Sequence, residues 1–539
     1  IATYLQLVGE EKYEEAMEVI TEKNPLPFIT GTICAHNCMS KCTRNFYETP
    51  VHIREMKLKA AENGYEALLE KLPVPAVTKA GKAAVIGGGP AGMAAAYFLR
   101  KGGMEVTLFE AKESLGGVVR HVIPPFRISE DAIEKDAEIL RKMQVDIHCN
   151  TKLESLEELK KQGYTKIVLA VGAPVQGSLK LESGMPKNAL EFLAEFKQTD
   201  GKVSLGKHVV VIGGGNTAMD TARAAKRNAG VEHVYLIYRR TRRYMPADEE
   251  ELVMALEDGV EFKELLSPVK LENGQLFCKV MQLSDYDVSG RRGVTETGET
   301  VWVPADTVIA AVGEKVPTDW YQANGLAVSE KGRLYVDEKT LKTSDDNVYA
   351  AGDGLYGPAT VVEAIRDGRK VAEAIAGEVL ACDFDKLAEE EKVYAKRGVL
   401  KEEQKETKEA GRCLGCSTIC ENCVEVCPNR ANIAIQVPGM EKHQIIHVDY
   451  LCNECGNCKS FCPYSSAPYL DKFTLFETEA DMENSKNQGF AVLDQETRRC
   501  KVRFFGKTFI WEPEKPAALP DGLGRMIETV CRDYSYLIR

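Results

Sequence analysis

Apolar and polar residues alternate in two different ways along the chain. In the first eighty residues, apolar positions recur at helical spacing around a cysteine-bearing loop, for example Ala16, Met17 and Ile20 within residues 13–20. From residue 81 to about residue 377, β-rich apolar runs alternate with glycine turns and amphipathic helices. That second pattern is typical of parallel sheets flanked by helices, so we predict an α-helical segment followed by an α/β core.

Two runs of the core nearly repeat each other. KAAVIGGGPAGMAAAYFLRKGGMEVTLFEA starts at Lys82, and KHVVVIGGGNTAMDTARAAKRNAGVEHVYLIYRR starts at Lys207. Each run is typical of a strand, a glycine turn, a helix and a second strand. The repeat predicts two Rossmann-like units in one chain.

The first run carries a G-x-G-x-x-G spacing directly after its first strand. The first glycine allows a tight turn, the second lets a pyrophosphate approach the backbone, and the third lets helix and strand pack closely. The next strand ends in an acid at about the distance needed to bond a ribose hydroxyl, which disfavours the alternative of an ordinary glycine turn. The predicted cofactor-binding residues here are Gly87, Gly89, Pro90, Ala91, Gly92 and Glu110.

The second run keeps Gly213 and Gly215 and has alanine at the third position, which the pattern tolerates. Its second strand ends in arginines where the first run has Glu110. An acid favours a free 2′-hydroxyl, whereas a guanidinium favours a 2′-phosphate, so the first site suits FAD or NAD and the second suits NADPH. The alternative for the arginines is a solvated turn. The predicted nicotinamide-site residues are Gly213, Gly215, Asn216, Thr217, Arg239 and Arg240.

Charge and cysteine usage narrow the class of partner. The net charge of −12 disfavours nucleic acid and anionic membranes. The sequence has no run of 18 apolar residues and no signal-peptide pattern, so we expect a cytoplasmic protein. Nine of the 17 cysteines fall between Cys413 and Cys462 at metal-type spacings, which favours a reducing compartment and bound iron or zinc.

LCNECGNCKSFCP has the C-x2-C-x2-C-x3-C-P spacing of bacterial ferredoxins, in which three cysteines bind one [4Fe-4S] cluster and the last binds the other. Zinc sites usually show two separated pairs instead. RCLGCSTICENCVEVCPNRAN is the other half of the repeat, with a first loop one residue longer. We predict one cluster on Cys416, Cys420, Cys423 and Cys462, and another on Cys452, Cys455, Cys458 and Cys427.

Cys413 is left over from this assignment. It either replaces Cys416 or is a buried thiol beside the cluster. Between the two halves, ANIAIQV and HQIIHVD alternate as expected for the two strands of a ferredoxin hairpin. Residues 383–412 are rich in Glu, Lys and Ala and predict a solvated helical linker, whereas FAVLDQETRRCKVRFFG in the tail predicts a hairpin.

The order of motifs resembles the two-dinucleotide-binding flavoproteins. After the first glycine turn come GGVVRHVIPPFR, AVGA, the second glycine turn, AVGE and YAAGDGLYGPATVVEAIRDGR. The resemblance implies that the nicotinamide domain is inserted between two halves of the FAD domain, and that a helix N-terminus at Thr360 faces the flavin ring. The further FAD-binding residues that it implies are Gly117, Arg120, Gly172, Gly352, Asp353, Thr360 and Val361.

A narrower resemblance covers essentially the whole chain. NPLPFITGTICAHNCMSKC, GGVVRHVIPPFR and YRRTRRYMPADEEEL are similar to the glutamate synthase small subunit and the N-terminal half of dihydropyrimidine dehydrogenase. With the C-terminal cysteine runs added, the chain most resembles the flavin and iron–sulfur subunit of the "putative selenate reductase" type. These relatives imply FAD, NADP(H) or NAD(H), two C-terminal [4Fe-4S] clusters and one or two more at the N-terminus.

The N-terminal cysteines depart from that pattern. Cys34, Cys38 and Cys42 supply three thiolates, but the relatives have a further cysteine-rich segment upstream, and Lys57 stands where some of them have a Gln or Glu ligand. A protonated lysine cannot bind iron. We therefore expect that residue 1 is not the native start and that the three cysteines bind iron with residues outside this sequence; the alternative is a loop without iron.

The expected fold is α/β, with two nested Rossmann-like domains between an N-terminal helical iron–sulfur segment and a C-terminal ferredoxin-like domain. The predicted domains are residues 1–80 (helical iron–sulfur segment), 81–189 with 310–378 (FAD), 190–309 (NAD(P)), 379–411 (charged linker), 412–470 (ferredoxin-like) and 471–539 (C-terminal extension).

We expect an enzyme that exchanges hydride between NAD(P)H and FAD and single electrons with clusters serving a partner domain or subunit, which the resemblance suggests is a molybdenum enzyme. No catalytic acid or base is predicted. The alternatives are a relay subunit with a vestigial nicotinamide site and the glutamate synthase small subunit itself. A disulfide reductase is disfavoured, because residues 111–127 contain no cysteine and Cys149, Cys278 and Cys382 are expected to be isolated buried thiols.

Overall fold

The structure is a computed structural model that describes residues 1–46, 48–177, 179–286, 292–377, 380, 399–415, 420–440, 443–462, 466–513, 515 and 519–539. The chain divides into two compact units. The central unit comprises Tyr13–Ala35 and Lys57–Asp383, and the terminal unit comprises Ile1–Lys12, His36–Met56 and Phe384–Arg539. Among the described residues, no helix combines the length and apolar character needed to cross a membrane.

The α-helices within the described residues are, in chain order, α1 (Ala2–Gly9), α2 (Tyr13–Thr21), α3 (Pro27–Ile33), α4 (Asn37–Ser40), α5 (Ile53–Lys71), α6 (Pro90–Lys101), α7 (Val118–His121), α8 (Glu130–Lys142), α9 (Leu156–Lys161), α10 (Ala189–Gln198), α11 (Asn216–Arg227), α12 (Glu249–Glu257), α13 (Thr318–Ala323), α14 (Asp353–Tyr356), α15 (Val361–Ala376), α16 (Asn422–Glu425), α17 (Asn457–Ser460), α18 (Pro468–Asp471), α19 (Glu479–Asn484) and α20 (Asp521–Asp533).

The central unit contains two parallel five-stranded sheets. The strands of the first are β1 (Lys82–Ile86), β2 (Glu105–Phe109), β3 (Asp146–His148), β4 (Tyr164–Leu169) and β15 (Val348–Ala350), in the order β15-β4-β1-β2-β3. Those of the second are β6 (Lys187–Asn188), β7 (His208–Ile212), β8 (His233–Tyr238), β9 (Glu261–Glu264) and β13 (Thr307–Ala310), in the order β6-β13-β7-β8-β9. Because β15 returns to the first sheet after β13, the second sheet is nested within the first in sequence.

Two antiparallel elements accompany these sheets within the described residues of the central unit. β10 (Leu266–Glu272), β11 (Gln275–Tyr286) and β12 (Arg292–Pro304) form a three-stranded sheet, and β5 (Val175–Gln176) pairs with β14 (Glu314–Lys315). The β5–β14 ladder joins the segment that leaves the first sheet to the segment that returns to it, so it marks where the chain passes between the two nested domains.

The core of each nested domain lies between its sheet and its helices. In the first, β1 is buried from Ala83 to Ile86 and packs under α6, whose alanines are fully buried. Gly368 of α15 allows α6 and α15 to cross in close contact, since a Cβ there would lie 2.7 Å from the Ala91 carbonyl oxygen. In the second, Val209 and Val211 pack with α10, α11 and α12.

The terminal unit is built on a six-stranded sheet. Its strands are β16 (Asn432–Ile435), β17 (Gln444–Val448), β18 (Thr474–Phe476), β19 (Gly489–Asp494), β20 (Arg499–Phe504) and β21 (Lys507–Trp511), paired in that order. β16 and β17 are antiparallel, as predicted for a ferredoxin hairpin, and β19 and β20 form the predicted hairpin of the tail. β18 pairs in parallel with both β17 and β19, so the ferredoxin hairpin and the tail share one sheet and one hydrophobic core.

The helix predicted at residues 13–20 is α2. The prediction of a solvated linker is wrong at its end, because Glu409 and Arg412 are buried in a 3-10 helix (Glu406–Arg412) and hydrogen-bonded to other segments of the terminal unit; residues 381–398 lie outside the described residues. Cys278 is buried as expected, whereas Cys149 is only half-buried because it follows the exposed edge strand β3. Cys382 lies outside the described residues.

Candidate dinucleotide sites and iron–sulfur centre

The first glycine turn has the geometry that its spacing predicts. Gly87 has a φ of +106°, and its N–H donates to the Phe109 carbonyl at 2.8 Å, so the turn joins β1 to β2. A Cβ on Gly92 would lie 1.8 Å from the Gly87 carbonyl oxygen. Gly92 therefore lets α6 start directly against the turn, and α6 begins at Pro90 with Gly89 as its N-cap.

Glu110 lies beside this turn, at the end of β2. Its carboxylate accepts the Gly88 N–H at 2.6 Å and the Lys112 N–H at 2.7 Å. The side chain is 7% exposed. An acceptor group is thus held next to the glycine turn, where the ribose-binding acid was expected.

The late AGD segment meets the first turn. A Cβ on Gly352 would lie 2.6 Å from the Ala91 Cβ, and one on Gly354 would lie 3.2 Å from the Gly172 carbonyl oxygen. The structure therefore brings Gly352 and the neighbouring Asp353 to α6, and Gly172 to α14, although more than 170 residues separate these motifs in sequence.

Asp353 and α15 have the electrostatics expected of a flavin site. Burial raises the pKa of Asp353 to about 6, and the carboxylate accepts the Ala359 N–H at 3.0 Å. Helix α15 begins at Val361 with Thr360 as its N-cap, in a capping box with Glu363. A helix N-terminus carries partial positive charge, so this end of α15 favours an anionic group.

Arg120 provides a test of whether an anionic cofactor fits this cradle. It follows Gly117, whose Cα approaches Gly89 so closely that a Cβ on Gly117 would lie 2.8 Å from the Gly89 Cα. Arg120 donates to Glu134 at 2.6 Å, but its buried Nε has no hydrogen-bond partner within the described ranges. A buried cation with an unpaired donor, beside two glycines that leave the backbone bare, suits a pyrophosphate.

The second glycine turn is equally open. Gly213 has a φ of +155°, and a Cβ on Gly215 would meet no atom within 4 Å. α11 begins at Asn216, so the N-terminus of this helix lies directly at the turn. The motif after β8 folds back over the turn, because the Ala247 N–H donates to the Gly214 carbonyl at 3.0 Å and the Asp248 N–H donates to Asn216 Oδ1 at 2.9 Å.

The arginines after β8 divide into paired and unpaired side chains. Arg240 Nε donates to the Arg292 carbonyl at 2.7 Å, and Arg242 pairs with Glu249 at 2.9 Å. Arg239 and Arg243 are exposed, and the described part of the chain offers neither of them an ion pair or a hydrogen bond. Arg239 directly follows the strand that ends beside the turn, so it is the guanidinium most readily offered to a 2′-phosphate.

A cavity in the terminal unit is surrounded by cysteines. Its lining cysteines are Cys427, Cys452, Cys455 and Cys458. These are the four that the spacing assigns to one cluster, and four thiols around one cavity are the donor set that a [4Fe-4S] cluster requires. Within the described ranges, no three His, Cys, Asp or Glu side chains converge on a point that would hold a single metal ion. Iron binding at this cavity stays a proposal.

Backbone N–H groups donate to the sulfurs of two cavity cysteines and of Cys413. Cys427 Sγ accepts from Ala431 at 3.2 Å, Cys452 Sγ accepts from Glu454 at 3.3 Å, and Cys413 Sγ accepts from Gly415 at 3.4 Å. Such bonds stabilise thiolate sulfurs of iron–sulfur clusters. Cys413 thus resembles Cys452, because each sulfur accepts from the backbone N–H of the residue two positions later.

Asn432 connects the cavity to the other predicted cluster. It lines the cavity, and its amide Nδ2 donates to the Cys423 carbonyl at 3.1 Å. Its Oδ1 lies 3.0 Å from His447 Nδ1, which must therefore carry the proton. Burial lowers the pKa of His447 to about 4, so this imidazole is neutral near pH 7.

The other predicted cluster is described only in part. Cys423 lies on α16 and Cys458 at the equivalent position of α17, so the two halves of the cysteine repeat have the same local structure. Cys420 and Cys462 are half-buried. Cys416 lies outside the described residues, so its pairing with these cysteines stays a prediction.

Of the N-terminal cysteines, Cys38 lies within α4, Cys34 precedes this helix and Cys42 follows it. Cys34 belongs to the central unit, whereas Cys38 and Cys42 belong to the terminal unit. Arg412 binds the segment that follows Cys42. Its guanidinium donates to the Thr49 carbonyl at 2.7 Å and to the Pro50 carbonyl at 3.2 Å. Arg44 Nε in turn donates to the Arg412 carbonyl at 2.5 Å.

This arginine pair is a feature that the sequence did not reveal. Arg44 and Arg412 are the two largest fully buried side chains among the described residues, and they are paired with Glu48 and Glu409. In the sequence both arginines sit in polar surroundings, and buried arginine is rare unless it is paired. Only the spacing of three between Glu409 and Arg412 could have suggested a pair on one short helix.

The chain belongs to the pyridine nucleotide-disulphide oxidoreductase family, whose model matches residues 81–368. Residues 1–67 match the model described as dihydropyrimidine dehydrogenase domain II, 4Fe-4S cluster. These matches confirm the predicted fold class and the resemblance, and they support the expected cofactor types, namely flavin, nicotinamide and [4Fe-4S] clusters.

Particular relatives support this family assignment. The "Putative oxidoreductase YgfK" of Escherichia coli K12 is 40% identical over 524 residues, which cover 93% of this chain and 50% of the relative. The beta subunit of the NADPH-Fe(3+) oxidoreductase of Geobacter sulfurreducens is 34% identical and is covered to 61%, and the glutamate synthase [NADPH] small chain of Azospirillum brasilense is 33% identical and is covered to 83%; each match covers 70% of this chain. The chain thus spans about half the length of the first of these.

Proposed function

We propose that the chain takes electron pairs from NADPH at the second glycine turn and delivers them, one electron at a time, to a partner catalytic domain or subunit. The observation that carries the proposal is the four-cysteine cavity in the same chain as two nested dinucleotide folds. A nicotinamide exchanges two electrons as hydride, whereas an iron–sulfur cluster accepts one, so the two ends require a flavin between them.

The chain's own residues bind and orient in this scheme. Gly87, Gly89 and Gly117 leave the backbone bare for a pyrophosphate, and Arg120 offers it a buried positive charge. Gly215 and the N-terminus of α11 do the same for the nicotinamide cofactor. When bound, the flavin supplies the conversion between hydride and single electrons. No side-chain acid or base is assigned, because a hydride moves with its electron pair.

The partner is proposed from the relatives and from what the chain lacks. Two of the relatives are named as a beta subunit and a small chain, and a third is about twice as long as this chain. No motif outside the cofactor sites predicts a terminal-substrate site. We therefore place that chemistry on another domain or subunit, and a molybdenum enzyme is the candidate that the sequence resemblance suggests.

A non-catalytic relay is the second candidate. It is favoured by one observation, namely that Arg240 and Arg242 are already paired within the protein and are not free to bind a phosphate. In that case electrons enter and leave through protein partners, and the nicotinamide fold is vestigial. The glutamate synthase small chain itself is disfavoured by the six-stranded ferredoxin-containing sheet.

An anaerobic titration of the purified, FAD- and cluster-loaded protein with NADPH tests the proposal. We expect the flavin absorbance near 450 nm to bleach and EPR signals of reduced [4Fe-4S] clusters to follow, because the flavin passes single electrons on (about 450 nm is the usual flavin band). NADH is the matched control, since it differs only in lacking the 2′-phosphate. If neither nicotinamide bleaches the flavin while dithionite does, the dehydrogenase proposal fails and the relay is left.

A further inference from the structure

One segment of the flavin domain is docked on the nicotinamide domain. The stretch VIPPFR, residues 122–127, follows the Gly117 turn of the flavin site. Val122 and Phe126 nevertheless pack against the hydrophobic core that α11 and α12 share with β7 and β8. Residues 122–127 therefore form a contact between the two nested domains.

Arg127 forms the polar part of that contact. Its Nη1 donates to Asp220 Oδ1 of α11 at 2.6 Å and also bonds Glu251 Oε2 of α12. Both carboxylates are buried, with Asp220 7% and Glu251 5% exposed. α11 is the helix whose N-terminus opens at the second glycine turn, so Arg127 holds the element that carries the nicotinamide site.

Phe126 adds a stacked contact on the same helix. The guanidinium groups of Arg223 and Arg227 lie over its ring, at 5.1 Å and 4.3 Å from the centroid. Both arginines also pair with Asp258 just beyond α12, at 2.8 Å for Arg223 Nε and Arg227 Nη2. Phe126 thus rests on a surface of α11 that is itself held in place by ion pairs, which makes the docking rigid.

A second cation, the Arg223 guanidinium, lies close to the Glu251 carboxylate that Arg127 binds. Arg223 Nη1 lies 3.6 Å from Glu251 Oε2, too far for a hydrogen bond, and within the described ranges this buried nitrogen has no hydrogen-bond partner. If Arg127 is removed, Arg223 can close this gap and compensate Glu251. A variant at Arg127 is therefore expected to fold, while the ion pairs that Arg127 makes across the domain contact are lost.

We propose that Arg127 is a positioning residue: by pairing with Asp220 and Glu251 across the domain contact, it sets the orientation of the nicotinamide domain for hydride transfer to the flavin. The inference rests on the proposed placement of the nicotinamide at the Gly213–Gly215 turn. A buried ion pair is better suited to specify one orientation than to add stability, since its desolvation offsets much of the attraction. Hydride transfer is sensitive to misplacement of about 1 Å, which can cost on the order of a hundredfold in rate.

The test compares Arg127→Gln and Arg127→Lys with the wild type in the FAD- and cluster-loaded protein. In anaerobic stopped-flow experiments with NADPH, we expect Arg127→Gln to lower the limiting rate of flavin reduction by about tenfold or more, with the dissociation constant for NADPH and the FAD content unchanged. Arg127→Lys keeps the charge but not the guanidinium fork, so it should recover part of the rate. Lys160→Gln, which removes an ion pair with Glu157 and Asp345 inside the flavin domain, is the control and should leave the rate unchanged.

A second readout needs no nucleotide. Hydrogen–deuterium exchange of the same proteins should show faster exchange in Arg127→Gln at residues 122–128 and in α12, because the domain contact opens more often. If Arg127→Gln loses FAD, Asp220→Asn and Glu251→Gln remove the same contacts from the other side and should give the same two changes. Combining Arg127→Gln with Asp220→Asn should add little beyond either single variant.

The outcomes separate this inference from the proposed function. A wild-type flavin that NADPH does not bleach would defeat the proposed function, and unchanged exchange in Arg127→Gln would then also defeat the domain contact as an orienting element. With an active wild type, an unchanged limiting rate in Arg127→Gln overturns the inference alone. A raised dissociation constant for NADPH with an unchanged limiting rate also overturns it, because Arg127 would then serve binding and not orientation.

Discussion

At the scale of residues, two equivalent strand ends carry opposite charges. β2 is followed by Glu110, which is buried and accepts hydrogen bonds from two backbone N–H groups, whereas β8 is followed by the exposed Arg239. A carboxylate repels a 2′-phosphate and accepts from a ribose hydroxyl, and a guanidinium does the reverse. The preference for each nucleotide is therefore expected to depend on one side chain at each site.

Replacement of Arg239 tests that dependence. Arg239→Ala should raise the dissociation constant for NADPH by about 10- to 100-fold, because one or two charge-assisted hydrogen bonds of about 1.5–3 kcal/mol are lost. The constant for NADH should change by less than about threefold, since NADH has no group for this guanidinium to bind. Equal effects on both nucleotides, measured by titration of flavin fluorescence, would place Arg239 outside the phosphate site.

Asp353 gives a pH dependence whose sign follows from its raised pKa. In the FAD-free protein the folded state holds a proton on this carboxyl up to about pH 6, above the ordinary pKa of 3.8. The stability that this provides is present below about pH 4 and is lost as the pH rises through about 6. The ionised Asp353 carboxylate therefore destabilises the FAD-free folded state near neutral pH.

Asp353→Asn should remove this destabilisation. Urea unfolding of the FAD-free protein should show equal stability at pH 4 and about 2 kcal/mol more stability for the variant at pH 8, since each pKa unit is worth about 1.4 kcal/mol before screening. The FAD-loaded variant should instead bind its flavin more weakly. A variant that is less stable than wild type at pH 8 without FAD would contradict the assignment.

At the scale of elements, the two halves of the cysteine repeat fold alike. The third cysteine of each half, Cys423 or Cys458, occupies the second position of a one-turn helix, and β16 and β17 connect the halves. The repeat is local in sequence, with spacings that fix which thiols meet, and this is why the sequence could group Cys427 with the second run. The first loop is one residue longer, so the identity of its first ligand is the open question.

Alanine variants answer it. We expect Cys416→Ala to lose one [4Fe-4S] cluster, about four iron atoms per chain, and Cys413→Ala to keep it. Iron analysis and EPR of the dithionite-reduced protein measure this. The opposite outcome, loss of the cluster with Cys413→Ala and retention with Cys416→Ala, would make Cys413 the ligand in place of Cys416. Cys413 is the alternative because its Sγ accepts a backbone N–H, as Cys452 Sγ does.

Contacts between distant elements were the part that the sequence could not supply. Glycine turns, capping residues and cysteine runs act within a few residues and leave patterns, so both dinucleotide folds and the ferredoxin hairpin could be predicted. Arg127 and Asp220 lie 93 residues apart, and nothing in either motif indicates the partner. The parallel pairing of β18 with β17 is likewise fixed by a shared core, not by a turn.

At the scale of the whole molecule, the chain closes its terminal unit from both ends. Arg44 and Arg412 are 368 residues apart, yet they are fully buried together with Glu409. Composition alone suggested a solvated linker here, because charges are usually exposed. The buried network instead joins the segment that follows Cys42 to the segment that precedes Cys413, and both segments belong to the terminal unit.

Removing Arg412 should open this unit. Arg412→Met leaves Glu409 buried without its cation, and breaking a buried pair in this way costs about 3–5 kcal/mol. Hydrogen–deuterium exchange should therefore speed up in peptides covering residues 43–52 and 401–412. Adding Glu409→Gln should recover part of the loss, whereas Arg532→Met, which breaks an exposed pair with Asp533, should change little. Unchanged exchange in Arg412→Met would show that the network does not hold the unit together.

The same closure sets an order on biosynthesis. A ribosome completes Arg44 early and Arg412 only after the nested domains between them, so the hydrogen bond from Arg44 to the Arg412 carbonyl cannot form until most of the chain has emerged. The nested domains can fold first and shorten the loop that must then be closed, which lowers its entropic cost. Cys38 and Cys42 are therefore synthesised well before the rest of their own unit. If they bind iron, as the sequence predicts, we expect the iron to be delivered late.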